Sequence, residues 1–322
     1  MESLTKSVVS ISENVLKLLN LKLVKKSSDG SCIAFEDFFP SDKIANLLGY
    51  TFLPNRGTKT RRFARFFSDL AQISFILTMF LFIYSLILSF QSKTIDRMIE
   101  NILFTGVNSV IIVKTFLIFN KNLPKIEENL RLLEKHFPNS KANQATYKVN
   151  DYLQGMNRFC KFYQALFHAV TLHFIFMPII YQIYGALLSV DTEWKHIFSL
   201  DLPFNQLQSV VYELIYIIEA WQIVTAIQFI VSTDLLFINL FQITAMELSI
   251  LGEKLSEIGL IKNEAEAIKE MRNLVDVHKQ LIEVSENVSD LFAPLMLCNS
   301  FCSITSLCTA SFLVVVGQAE FF

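Results

Sequence analysis

Three stretches without a single Asp, Glu, Lys or Arg constrain this chain more than anything else in it: residues 70–90, 164–190 and 291–319, of 21, 27 and 29 residues. A helix needs about 20 consecutive, mostly apolar residues to cross the roughly 30 Å hydrocarbon layer of a bilayer. Two further stretches come close. Residues 102–120 carry one charge, Lys114, and residues 210–233 carry Glu213 and Glu219. Core helices of soluble proteins seldom reach this length, and five are not expected in a chain of 322 residues. The chain therefore reads as an all-α, polytopic membrane bundle with five transmembrane helices at 70–90, 102–120, 164–190, 210–233 and 291–319, forming a single membrane domain over 1–322.

Composition supports this class and excludes others. Hydrophobic residues make up 52% and charged residues only 18%, against about 25% charged in a soluble domain. Thirty Phe with nine Gly and seven Pro exclude collagen-like and disordered chains, because such apolar content collapses rather than stays solvated. A net charge of −2 offers no basic footprint, so no nucleic-acid partner is expected.

Orientation follows from the basic residues between spans. With the N-terminus inside, twenty-four Lys and Arg fall on the cytosolic side and three outside. Residues 1–69 then form a cytosolic N-terminal segment. Met1 to Lys26 alternates apolar and polar residues without the roughly 7–15-residue apolar core of a signal peptide, so the segment is expected to be retained. Lys114 falls in the cytosolic half of its span, where its stem is expected to snorkel to the headgroups as an anchor.

Few residues suggest chemistry. The five cysteines (Cys32, Cys160, Cys298, Cys302, Cys308) give an odd count with none in an outer loop, so no disulfide framework is implied. Cys298 and Cys302 share a helical face but lack the further ligands that zinc requires, and read as inert buried thiols. His168 and His173, five apart, diverge around a helix. Asp191, Glu193 and Asp201 read as a solvated outer loop, and the sequon Asn287-Val288-Ser289 lies on the cytosolic side, where it stays unmodified. No phosphate loop, dinucleotide fingerprint, zinc-protease motif or nucleophile elbow occurs, so neither an enzyme nor any metal or cofactor is expected.

Residues 234–290 are more informative. Ile268, Met271, Leu274, Val275, Leu281, Ile282 and Val288 recur at amphipathic-helix spacing and lead without a break into the last span. Leu235, Leu236, Ile238, Phe241, Met246, Leu248, Leu251 and Leu255 continue the fourth span in the same way. A cytosolic helical extension is expected over 234–290, packing either as an intramolecular hairpin or as a subunit interface.

Several strings in this chain resemble the insect odorant receptors. They are Leu202-Pro203-Phe204 before the fourth span, Trp221 to Ile250 with Asp234-Leu235-Leu236-Phe237 inside it, and Leu248 to Leu255. His278-Lys279-Gln280-Leu281-Ile282, Cys308-Thr309-Ala310-Ser311-Phe312, Leu48-Gly49-Tyr50 and Leu132-Leu133-Glu134-Lys135 complete the pattern, in order along the whole chain. The resemblance implies an N-inside receptor in the plasma membrane that binds small volatile odorants. With an odorant co-receptor in a hetero-tetramer, such a receptor gates a cation current in sensory neurons. Five of that family's seven spans fit before Phe322, which reads as truncation after the fifth. A gustatory-type chemoreceptor is the alternative, with a membrane enzyme or transporter behind it. The expected partners are the co-receptor, the odorant and membrane lipid.

In the resembled family the ligand lies among spans two, three, four and six, in the outer half of the membrane. Carried onto this chain, that places candidates at Phe104 and Asn108 on span two and at His173, Met177, Tyr181 and Tyr184 on span three, with Leu188 on the same face. On span four the candidates are Tyr212, Tyr216 and Glu219. Aromatic walls with a few polar tips suit a small apolar volatile. Glu219 lies nine residues into its span, about 14 Å deep, where a carboxyl is costly unless it faces the bundle interior.

Overall fold

A computed structural model describes residues 32–48, 50, 52–53, 61–92, 95–188, 196–198, 200 and 209–319. The N-terminal reading up to residue 31, Gly49, the three loop acids and Leu202-Pro203-Phe204 lie outside the described residues. Among those described, the chain is helical throughout: a 3-10 turn Phe35–Phe38, α1 (Pro40–Leu47), α2 (Arg61–Ser92), α3 (Ile95–Lys114), a π-helical turn Thr115–Lys121, α4 (Leu123–His136), α5 (Lys141–Thr146), α6 (Val149–Leu187), α7 (Ser209–Ile258) and α8 (Glu264–Ala319). Five of these helices are long and apolar enough to cross a membrane.

Local chemistry marks the helix ends. Pro124 occupies the first turn of α4, where its missing N–H costs nothing, and Lys135 and His136 sit in the last turn against the negative end of the helix dipole. Ser140 caps α5 by accepting the Asn143 N–H at 3.2 Å. Gly259 follows the last residue of α7, and Asn263 Oδ1 accepts the Ala265 N–H at 3.1 Å as α8 begins with Glu264 and Glu266. Both extensions foreseen from the apolar pattern are continuous with the helices that precede or follow them, at 50 residues for α7 and 56 for α8.

The helices divide into two compact units. The first comprises the described part of Met1–Arg61 with Ile118–Leu166 and Val231–Ala293; the second comprises Arg62–Leu117, Phe167–Ile230 and the described part of Pro294–Phe322. In the first unit, Ile126, Leu130 and Leu133 of α4 have no exposure, nor do Met156 of α6 and Leu235, Leu240, Ile243 and Met246 of α7. Phe35 and Phe38 meet Phe137 edge-on, with centroids 5.5 and 5.7 Å apart. Asp42 on α1 is fully buried, because its Oδ1 accepts the backbone N–H groups of Phe52 at 2.6 Å and Leu53 at 3.2 Å. Asn239 joins three helices: it donates to Ser41 Oγ at 2.9 Å, and Cys160 Sγ donates to its Oδ1 at 3.7 Å. Tyr163 donates to Asp234 Oδ2 at 2.7 Å.

The two extensions do form a hairpin. Phe237 of α7 and Phe292 of α8 stand 4.8 Å apart, and a groove of about 310 Å³ between them is lined by Phe241, Thr244, Leu248 and Ser285 among others. Asn287 of the sequon donates to Asn129 Oδ1 at 3.3 Å.

In the second unit, polar side chains tie the helices at a few points. Asn108 donates to the Phe75 carbonyl at 2.8 Å, Gln222 to Thr78 Oγ1 at 2.8 Å, and Cys302 Sγ to the Gly106 carbonyl at 3.2 Å. Lys114 departs from its expected role. It is 2% exposed, so its side chain is held inside the protein rather than snorkelling along a lipid face. A lysine that deep survives by interacting with protein groups, and it does have such an interaction.

Candidate functional site

Among the described residues of the second unit, an aromatic cluster is built from α2, α3, α6, α7 and residues 197, 198 and 200 between α6 and α7. Phe82 of α2 is 2% exposed and stacks on Phe104 of α3, centroids 5.7 Å apart and planes 11° from parallel. Phe198, from the loop, meets both edge-on, at 5.6 Å from Phe82 and 5.2 Å from Phe104. Phe174 of α6 approaches Phe104 at 6.4 Å. Ile197, Leu200 and Ile223 close the buried core, with Ile175, Tyr216, Ala220 and Ile227 packed against it. Edge-to-face pairs at these distances are favourable because the positive ring edge meets the negative ring face.

Polar groups sit beside the rings. Glu219 of α7 is 4% exposed, and its Oε2 accepts the Ile197 N–H at 2.9 Å, with the Phe198 N–H as a second donor to the carboxyl. His196 Nδ1 lies 3.6 Å from the same oxygen, close enough for an ion pair but too long for a hydrogen bond. The His196 ring is 4.7 Å from Tyr212, which in turn stacks at 5.9 Å on Tyr216. Gln182 of α6 donates to the Tyr212 hydroxyl at 3.5 Å. Tyr216 donates to the Ile175 carbonyl, in the turn before Pro178.

Of the nine candidates, the structure brings Phe104, Tyr212, Tyr216 and Glu219 into this constellation. Asn108 is buried one turn along α3 and committed to the Phe75 carbonyl. His173, Met177, Tyr181 and Tyr184 share a face of α6 as their spacing required, but that face is exposed. Sequence reasoning missed Phe82, His196, Ile197 and Phe198. The acidic residues from which the loop was read as solvated lie outside the described residues; its Ile197, Phe198 and Leu200 are core residues. The available signal was the apolar pair Ile197-Phe198 in the loop that leads to the span carrying Glu219. Among the described residues, no group of three or more metal-ligating side chains comes together. The groove in the first unit is separate and is lined by none of the nine candidates.

Comparison with known proteins gives a consistent answer. The sequence profile of the 7tm Odorant receptor family matches residues 94–321. Odorant receptor 85c of Drosophila melanogaster is 21% identical over 194 residues, covering 60% of this chain and 50% of that receptor, so the match spans half the length of the relative. Among solved structures, the fold is similar to the insect olfactory receptor OR5 from Machilis hrabei at TM-score 0.64 and 20% identity, covering 84% of this chain and 70% of that one. The same receptor in complex with eugenol gives TM-score 0.66 and 20% identity, covering 87% and 70%.

Proposed function

Because the chain belongs to the 7tm odorant receptor family, and is thus a multi-pass membrane protein and not an enzyme, we propose that it binds small volatile odorants within its second unit. The observation that carries this reading is the constellation of buried Phe82, Phe198 and Tyr212 with partly buried Phe104 and Tyr216 beside the buried Glu219. Apolar walls supply affinity at about 25 cal/mol per Å² buried, and a few polar atoms fix orientation. The similar receptor OR5 is known in complex with eugenol, which supports a small aromatic ligand here. The pocket proposed for this chain centres on Phe104, Tyr212, Tyr216 and Glu219, with Asn108 supporting α3. The exposed face of His173, Met177, Tyr181 and Tyr184 suits contact with lipid or a neighbouring subunit.

In this reading the receptor works in the plasma membrane with an odorant co-receptor, as one subunit of a ligand-gated cation channel, with the N-terminus and residues 234–290 cytosolic. The basic bias between the spans supports the orientation. An exposed apolar stripe supports the partnership: Ile268, Met271, Val275 and Ile282 line one face of α8, and Phe241, Leu248 and Leu255 recur every seven residues on α7.

Co-expression with an insect odorant co-receptor tests the reading. A volatile panel should evoke cation currents only when both chains are present, and Tyr216→Ala should shift the dose-response curve about tenfold, the loss of one oriented hydrogen bond and ring contact, at unchanged surface expression. Currents identical with and without this chain would refute it. A tag at Asn263 should stain only in permeabilised cells.

A further inference from the structure

Phe198 is a ring delivered by a loop, whereas the rings it touches are fixed on helices. It stands edge-on against the stacked pair Phe82 and Phe104. The residue before it places its N–H on Glu219 Oε2 at 2.9 Å. The loop thus presents to the second unit an aromatic ring and, one residue away, a hydrogen-bond donor. A buried carboxyl needs a donor at all times, since an unpaired polar group in an apolar surrounding is costly. The helix-borne walls cannot be exchanged without unpacking the bundle. The contacts of Ile197 and Phe198, by contrast, are side-chain burial and hydrogen bonds of kinds that another molecule can supply.

Resting on the odorant-binding reading above, we propose that Ile197–Phe198 occupies the ligand subsite of its own chain. The ligand is a small aromatic molecule carrying an O–H or N–H donor. Its ring takes the place of Phe198 against the stacked pair Phe82 and Phe104, and its donor replaces the Ile197 N–H on Glu219. The chemical class that fits is the aromatic alcohols and phenols. Ethers and hydrocarbons of the same shape leave the carboxyl one donor short and are discriminated against. Phe198 sets the apparent affinity, because a ligand binds only the fraction of molecules in which the slot is free.

The test uses the full chain in lipid nanodiscs and two tritiated probes, 2-phenylethanol and its methyl ether, which differ in the donor alone. The unaltered chain should prefer the alcohol by about tenfold, the value of one hydrogen bond to a buried carboxyl. Phe198→Ala should bind both probes about tenfold more tightly, because removing the ring lowers the competent-state penalty. Phe198→Leu, which keeps an apolar side chain in the slot, should give a smaller change of the same sign. Glu219→Gln should shrink the alcohol-to-ether preference to about threefold or less, since one of the two side-chain oxygens is replaced by an NH2 that only donates. That ratio does not move if the loop is merely loosened. Unchanged or weakened binding in both Phe198 variants, with circular dichroism showing an intact fold, overturns the self-occupancy. A preference that survives Glu219→Gln overturns the donor assignment. If neither the unaltered chain nor Phe198→Ala takes up these probes or any of a broad volatile panel, the odorant-binding reading falls with it.

Discussion

In the first unit Leu130, Leu133, Leu235 and Leu240 have no exposure, while Lys125, Glu128, Arg131 and Glu134 of α4 face outward. In the second unit the outward residues are Phe80 and Phe90 on α2, Leu187 on α6 and Phe301 on α8, at 66, 66, 77 and 71% exposure. One unit is built as proteins in water are, with apolar groups inside and charge outside. The other keeps apolar groups on both sides, which only a hydrocarbon surrounding makes inexpensive. Their glue differs accordingly. Burial of apolar area drives packing in water. In lipid the tails are as apolar as the side chains, so close contacts and hydrogen bonds such as Asn108 to Phe75 and Gln222 to Thr78 carry more of the specificity. The exposed stripe on α7 and α8 is a continuous exception within the first unit, and it is what a water-facing surface leaves apolar when a partner covers it.

Five changes would break or sharpen this contrast. The largest effect is expected at that stripe. Replacing Ile268, Met271, Val275 and Ile282 together by Ser should weaken association with a co-receptor by about a thousandfold, about 4 kcal/mol, with the chain still inserted. Undiminished co-purification would move the interface elsewhere. Next, Leu130→Ala in the first unit should cost about 3.5 kcal/mol through lost transfer and a residual cavity. Thermal unfolding in detergent measures it, with Phe301→Ala as the lipid-facing control. Third, Phe80→Lys at the centre of α2 should cost about 3 kcal/mol in a glycosylation-mapped insertion assay. Leu260→Lys, at an 80% exposed site between α7 and α8, should stay within about 0.5 kcal/mol. Equal costs at both positions would erase the distinction between the units.

Fourth, Asp42→Ala should destabilise the first unit by about 2.5 kcal/mol, because two buried backbone N–H groups lose their acceptor. Accelerated proteolysis near α1 would report it. The smallest effect is expected at Lys148, whose φ of 51° lies in the left-handed region between α5 and α6. Lys148→Gly relieves that strain and should raise stability by about 0.5 kcal/mol. Any loss of thermal stability there would show that the lysine side chain does more than tolerate its backbone.

The candidate site was half legible. Tyr212, Tyr216 and Glu219 could be placed on one face by helical spacing, and Phe104 and Asn108 on another, because side-chain direction in a helix follows from residue number. His173, Met177, Tyr181 and Tyr184 satisfied the same spacing rule, yet their face is exposed. Periodicity gives a helix its faces but not its neighbours. Phe198 and His196 were invisible to that reasoning, since a loop has no period.

The amino-acid sequence by itself determined that this is a chain of long membrane-crossing helices. Charge-free runs of this length have one inexpensive environment, and backbone groups in hydrocarbon must be paired within the helix. It also determined that α7 and α8 run on past their apolar stretches, because amphipathic spacing continued without a Pro or Gly strong enough to stop either. Tertiary structure alone decided which apolar face meets protein and which meets lipid, since hydropathy assigns both the same free energy. It also decided that Lys114 turns inward, that Asp42 caps a distant backbone turn, and that a loop ring closes the aromatic cluster under Glu219. These are contacts between residues far apart in the chain, and their energies exist only once the helices have packed.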